Sequence, residues 1–128
     1  MTWDELLAEA GPLEFEPVPF DHPMVVLFTS GTTGKPKGAM LRHGASVRAY
    51  DSWADVVGLR QGDRYLIVNP FFHMFGYKAG WLASLLQGAT MVPVAVFDVP
   101  KVLSLVEHER ITVLPGPPTL YRSMLDHP

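Results

Sequence analysis

The stretch MVVLFTSGTTGKPKG, residues 24–38, joins an apolar run to a segment made largely of glycine, hydroxyl and lysine residues. The apolar part, MVVLFT, is short and rich in β-branched and aromatic residues, which predicts a strand buried on both faces. Gly31, Gly34 and Gly38 would each cost backbone entropy inside a helix or strand. The stretch therefore predicts a buried strand that runs into a loop with a specialised role.

Strands and helices alternate along the rest of the chain. The runs RYLIVNP, ATMVPV and ITVLPG predict three further strands, and helical spacing over 46–57, GYKAGWLASLLQG and PPTLYRSML predicts helices between and after them. Asp98 is positioned to cap one more helix, with Pro100 in its first turn and Val102 on its inward face. This alternation predicts an α/β fold with a mostly parallel sheet of repeated βα units.

The predicted parallel sheet also predicts where ligands bind. The loops that follow parallel strands emerge at one edge of the sheet, and open α/β sheets bind ligands there. The glycine loop, PFFHMFG (70–76) and PGPP (115–118) are therefore expected to share a face.

The N-terminal part has a different character. Thr2 and Glu5 have the spacing of a capping box, which predicts a short helix ended by Gly11. The proline-rich stretch PLEFEPVPFDHP then predicts an extended connector. We divide the chain into residues 1–22, a helix and connector, and residues 23–128, a partial α/β domain.

Composition excludes several classes of function. The 128 residues include no cysteine, so disulfides, thiolate metal sites and cysteine nucleophiles are excluded. The sequence shows no signal peptide and no stretch long enough to span a bilayer, so we expect a cytoplasmic protein with no integral membrane segment. The net charge is −3 and there is no basic tract, so nucleic acid is not an expected partner.

The loop chemistry suits a polyphosphate. Backbone N–H groups in a glycine-rich loop can converge on phosphate oxygens. Lysines add compact charges, and hydroxyls add further donors. A Walker A motif is excluded, because the fifth position after Gly31 is Pro36 and not glycine. The alternative is that the loop is an exposed hairpin tip with solvated lysines and binds nothing.

FTSGTTGKPKG resembles the signature of the adenylate-forming superfamily, which includes the acyl-CoA synthetases. The resemblance implies an ATP-dependent carboxylic acid–CoA ligase that forms an acyl-adenylate and releases AMP, acting on a fatty or other hydrophobic acid. It implies ATP, Mg²⁺ and CoA as cofactors and a small carboxylic acid as partner. It also implies that the loop binds ATP phosphates through Thr29, Ser30, Gly31, Thr32, Thr33, Gly34, Lys35, Lys37 and Gly38.

NPFFHMFG (69–76) resembles the next motif of the same superfamily. The resemblance implies that His73 orients the substrate carboxylate or the adenylate, with Phe72, Phe75 and Gly76 beside the acyl group. Taken alone, His73 fits a hydrogen-bonded core histidine equally well. In the last predicted strand and helix, ITVLPGPPTLYRSML (111–125), Gly116 is the residue expected near a ligand.

The resemblance runs from Trp3 to the end of the chain and implies an internal slice of a larger N-terminal domain. On that reading no catalytic set is complete here, and the magnesium ligands lie mainly outside the chain. The 128 residues alone are expected to be inactive and to self-associate through exposed apolar faces. The alternative is a non-catalytic module that binds a nucleotide or another anion.

Overall fold

The fold is mixed α/β, as the sequence predicts. The computed structural model describes residues 2–9, 11, 14–30 and 34–128. Within them it has four strands, arranged as one antiparallel pair and one parallel pair. A single large parallel sheet is not seen in this part of the chain.

The N-terminal helix begins with the predicted capping box. Helix α1 spans Trp3–Glu9. The Thr2 N–H donates to Oε2 of Glu5 at 2.7 Å, and the Glu5 N–H donates to Oγ1 of Thr2 at 3.2 Å. Two backbone donors of the first turn are thereby satisfied within the segment.

The connector after α1 attaches to helix α2, which spans His43–Val57. The Gly44 N–H donates to the carbonyl oxygen of Phe20 at 2.7 Å, and the Arg48 guanidinium lies 5.6 Å from the centre of the Phe20 ring. A Cβ on Gly44 would lie 2.1 Å from the ring atom Cδ1 of Phe20. The start of α2 thus needs glycine at position 44 to accept the connector.

The first strand forms a hairpin and does not join the parallel pair. Strand β1, Pro23–Thr29, pairs antiparallel with strand β2, Lys37–Arg42. The prediction that β1 is buried on both faces is wrong, because Val26 and Phe28 are 51% and 75% exposed. The chain reverses in the glycine run, and the returning residues pair with β1 before any helix begins.

This topology changes the position of the glycine loop. The loop joins two antiparallel strands, whereas the prediction placed it between a parallel strand and a helix. The argument that parallel strand ends share one edge therefore does not apply to it. It still applies to the loops that follow the parallel strands.

The parallel pair consists of β3, Arg64–Ile67, and β4, Thr90–Pro93. The predicted strand ITVLPG is reduced to one parallel bridge between Val113 and Tyr65. A helical connection joins β3 to β4 on the predicted segment, but it starts as a π-helix, Phe75–Leu82, and continues as helix α3, Ala83–Gln87.

The core lies where α2 and α3 pack on β3. Its fully buried members are Ala54, Leu59, Tyr65, Ile67 and Ala83. The Trp53 ring stacks on the Tyr65 ring with centroids 6.2 Å apart. This packing fixes β3, whose carboxyl end leads into the candidate site.

Two further helices complete the described chain. Helix α4 spans Val99–His108, and the Lys101 N–H donates to Oδ1 of Asp98 at 3.0 Å, which confirms the predicted cap. Val102 on its inward face is fully buried. Helix α5 spans Pro118–Leu125 and begins on prolines as predicted.

Candidate functional site

The described residues of the glycine loop lie where β1 ends and β2 begins. Thr29 lies opposite Lys37, and the Thr29 hydroxyl donates to the Lys37 carbonyl oxygen at 3.4 Å. Lys35 and Lys37 are exposed, as are Ser30 and Gly38. Two cations therefore lie on the returning arm, where a polyphosphate could approach from solvent.

Part of the loop falls outside the described residues. Of the nine predicted phosphate-binding residues, Gly31, Thr32 and Thr33 are not described. Gly34 has φ +81°, and no atom of the described residues would lie within 4 Å of an added Cβ. Backbone conformation, and not lack of space, is therefore the reason for glycine at this position.

His73 lines a cavity of about 250 Å³ together with Asn69, Phe75, Gly116 and Pro117. The loop after β3 and the segment before α5 thus meet, as predicted for PFFHMFG and PGPP. The predicted residues His73, Phe75 and Gly116 are brought together here. The loop residues that the structure describes line none of the three cavities of this region.

The His73 ring is oriented by the backbone two residues further along the chain. The Phe75 N–H donates to Nδ1 of His73 at 3.2 Å, so Nδ1 serves as an acceptor. In a neutral imidazole the proton then resides on Nε2, which becomes a donor. An Nε2–H group beside a cavity can donate to a carboxylate or a phosphate oxygen.

Phe72 belongs to a different cavity. A space of about 400 Å³ is lined by Phe71 and Phe72, by the carboxyl end of β4, and by Asn69. Phe72 is 91% exposed. The structure therefore separates Phe72 from His73 and Phe75, although all three belong to one motif.

Gly76 has a packing role. A Cβ at this position would lie 2.3 Å from the carbonyl oxygen of Pro70 and 2.4 Å from that of Asn69. Because both neighbours are backbone atoms, no small side-chain movement can make room. The loop after β3 folds tightly onto the first turn of the π-helix only with glycine here.

Sequence reasoning missed two residues of this region. Asn69, two residues after β3, lines all three cavities, the third having a volume of about 320 Å³. Lys78, in the π-helix, is completely buried. A polar residue directly after a buried strand was the available signal for Asn69, whereas no local signal marks Lys78.

Lys78 connects three elements. Its Nζ donates to Oγ of Ser46 at 3.1 Å and contacts Sδ of Met24 at 3.0 Å. Nζ also lies 5.0 Å from the centre of the Tyr77 ring. Burial disfavours the charged form and lowers the pKa of the Lys78 amine.

Residues 2–128 match the protein family described as AMP-binding enzyme. The chain belongs to this family. Family membership agrees with the resemblance carried by the glycine loop and the histidine motif.

Two relatives of this AMP-binding chain carry the same name, 3-[(3aS,4S,7aS)-7a-methyl-1,5-dioxo-octahydro-1H-inden-4-yl]propanoyl:CoA ligase. The protein from Rhodococcus jostii is 59% identical over 103 residues, which are 80% of this chain and 20% of that protein. The protein from Mycobacterium tuberculosis is 50% identical over 133 residues, 99% of this chain and 26% of that protein. The chain thus spans about a fifth to a quarter of the length of these curated relatives.

Solved structures of the AMP-binding family have the same fold. The N-terminal domain of FACL13 from Mycobacterium tuberculosis, bound to an inhibitor, gives a TM-score of 0.86 at 32% identity, covering 98% of this chain and 31% of that one. O-succinylbenzoate coenzyme A synthetase (MenE) from Bacillus subtilis, in complex with ATP and a magnesium ion, gives 0.82 at 34% identity, covering 98% of this chain and 26% of that one.

The described residues show neither a metal-binding cluster nor a membrane-spanning helix. They contain no group of three or more histidine, aspartate or glutamate side chains placed to hold a metal ion. None of the helices described here is both long and apolar enough to cross a bilayer.

Proposed function

We propose that the whole protein containing this chain is an ATP-dependent carboxylic acid–CoA ligase. The observation that carries the proposal is the similarity to CoA ligases along the chain, because the local geometry alone also suits an anion-binding module. The His73 cavity and the exposed lysines of the hairpin support the same reaction.

The reaction has two steps. A carboxylate oxygen of the acid bonds to the α-phosphorus of ATP, the bond from that phosphorus to the bridging oxygen breaks, and pyrophosphate leaves. The thiolate of CoA, having lost its proton, then bonds to the acyl carbon, and AMP leaves with the oxygen that came from the acid. Both leaving groups are anionic, so nearby donors and cations favour each step.

The described residues would divide these tasks. Lys35 and Lys37, with the amides and hydroxyls of the glycine loop, would neutralise charge on the departing pyrophosphate. His73 would donate from Nε2 to the acid carboxylate, with Phe75 and Gly116 forming adjacent walls. Magnesium would assist at the phosphates, and we assign no ligand for it in this chain, since the described residues show no metal-binding group.

The anion-binding module remains the second candidate. It is favoured by one observation, that the described loop residues lie apart from the three cavities. A module would bind ATP saturably without exchanging pyrophosphate into it. A ligase would exchange labelled pyrophosphate into ATP only when a suitable acid is present.

The role of the loop is tested in the whole protein by Lys37→Ala. We expect acid-dependent pyrophosphate exchange to fall about 10- to 100-fold, because a charge-assisted contact to the leaving group is lost. Lys101→Ala, which removes an exposed lysine of α4, is the matched control and should leave the exchange rate unchanged. An equal rate in Lys37→Ala and the control would refute the role assigned to the loop.

A further inference from the structure

Among the described residues that line the cavity of about 400 Å³, Asn69 is the one with a polar side chain. The others are Ile67, Pro70, Phe71, Phe72, Pro93, Val94 and Ala95. Pockets of this kind bind an apolar body and use their few polar groups to fix its orientation. The amide of Asn69 is therefore the candidate for selecting a polar feature on an otherwise hydrophobic ligand.

The Asn69 amide has hydrogen-bonding capacity for a ligand. Its Nδ2 donates to the carbonyl oxygen of Pro115 at 3.4 Å, which is long for a hydrogen bond. A primary amide has two N–H donors and one carbonyl acceptor, so this contact uses a fraction of its capacity. The same contact ties the loop after β3 to the segment before α5.

Asn69 is also shared between this cavity and the candidate carboxylate site. It lines the cavity of about 250 Å³ beside His73 as well as the apolar one. Because both linings include Asn69, an acid with its carboxylate by His73 would pass Asn69 on the way to the space beside Phe71 and Phe72. For an acid bound in this way, the Asn69 amide would lie beside the skeleton and not beside the carboxylate.

We propose that Asn69 is a specificity-determining residue that hydrogen-bonds an oxygen on the hydrophobic skeleton of the acid, and the inference rests on the proposed ligase function. The substrate class is then a hydrophobic carboxylic acid carrying a ketone or hydroxyl group away from the carboxyl end. A plain hydrocarbon acid of the same size would leave the amide facing apolar atoms. A site built to bond a polar group discriminates strongly against an analogue that lacks it.

The test uses the whole protein and compares the pyrophosphate exchange that two acids support. One is a hydrophobic carboxylic acid with a ketone away from the carboxyl end, and the other has the same carbon skeleton without the ketone. We expect kcat/KM to favour the keto acid about 10- to 100-fold in the wild type. Asn69→Leu, which keeps side-chain volume but cannot hydrogen-bond, should reduce this preference to about 3-fold or less.

Val94→Ala serves as the matched variant, because it removes apolar lining from the same cavity. It should lower kcat/KM for both acids by a similar factor and leave their ratio unchanged. Thermal unfolding of each variant separates loss of fold from loss of selection, and the wild-type ratio needs no variant at all. Equal activity of wild type on both acids, or an unchanged ratio in folded Asn69→Leu, would overturn the role of Asn69. Absence of exchange with every acid would instead overturn the ligase proposal.

Discussion

Lys78 is a buried amine whose two closest polar contacts are uncharged. Ser46 belongs to α2 and Met24 to β1, so the side chain joins the hairpin, a helix and the π-helix at one point. Neither contact supplies a negative charge to balance an ammonium group. Burial therefore lowers the pKa of Lys78 from its usual value of 10.5.

The lowered pKa makes a prediction about stability and pH. Between the lowered value and 10.5 the unfolded chain binds more protons at this position than the folded chain, so the contribution of Lys78 to stability rises with pH across that window. We expect the free energy of unfolding of the wild type to rise relative to that of Lys78→Met as the pH is raised from 7 towards 10.5. Urea unfolding of both proteins at several pH values measures the difference.

Lys101→Met is the control for this experiment, because Lys101 is exposed on α4. It shows how much of the change any Lys→Met substitution produces. A change for Lys78→Met no larger than this would show that burial does not disfavour the charged amine.

The side-chain contacts that the sequence predicted are those between residues close together along the chain. Thr2 bonds Glu5, and Asp98 bonds the Lys101 N–H, each across three residues. The partners of Lys78 lie 32 and 54 residues away, so its burial depends on tertiary packing that no local pattern encodes. The same reason explains why the three cavities around Asn69 were not anticipated.

The turn between β3 and the π-helix sets the position of the candidate carboxylate site. The His73 N–H donates to the carbonyl oxygen of Pro70 at 3.0 Å, and Gly76 packs against the backbone of the same turn. These contacts hold the His73 ring beside Phe75. The turn thereby forms part of the wall of the cavity.

Substitution of Gly76 tests this packing. Gly76→Ala would force the added methyl against two backbone carbonyl oxygens, so we expect a loss of about 1–3 kcal/mol in the free energy of unfolding. Gly11→Ala is the control, since no atom in the described part of the chain lies within 4 Å of a Cβ built there. Chemical denaturation of the two variants gives the comparison, and equal stability would contradict the tight packing of the turn.

At the level of elements, the sequence predicted helices better than strand pairing. The helices after β2, β3 and β4 lie on the predicted segments, because apolar spacing and caps are local signals. The run MVVLFT fits a buried parallel strand and a hairpin strand equally well. Pairing depends on the partner, Lys37–Arg42, and its mixed composition gave no strand signal.

For the whole molecule, the specific motifs were more informative than the composition. The glycine run and NPFFHMFG indicated the AMP-binding family, and the match over residues 2–128 confirms it. The identity of the acid was not readable, because it depends on cavities formed by segments far apart in sequence. Asn69 and Pro117, for example, meet only after folding.

Self-association of the chain stays a prediction. Val26 and Met40 lie directly opposite each other on the hairpin, and Phe28 follows on the same side of β1. Their exposed fractions are 51%, 58% and 75% in the order Val26, Met40, Phe28. An apolar face of this kind is a candidate contact surface.

The fate of the carboxylate oxygens tests the proposed reaction most directly. The whole protein would be given an acid labelled with ¹⁸O in its carboxyl group, together with ATP, magnesium and CoA, and the nucleotide products would be analysed by mass spectrometry. We predict AMP containing one ¹⁸O atom derived from the acid, because attack on the α-phosphorus leaves that oxygen on the phosphate when the thiolate displaces AMP. Unlabelled AMP, or ADP and phosphate as the products, would contradict the account.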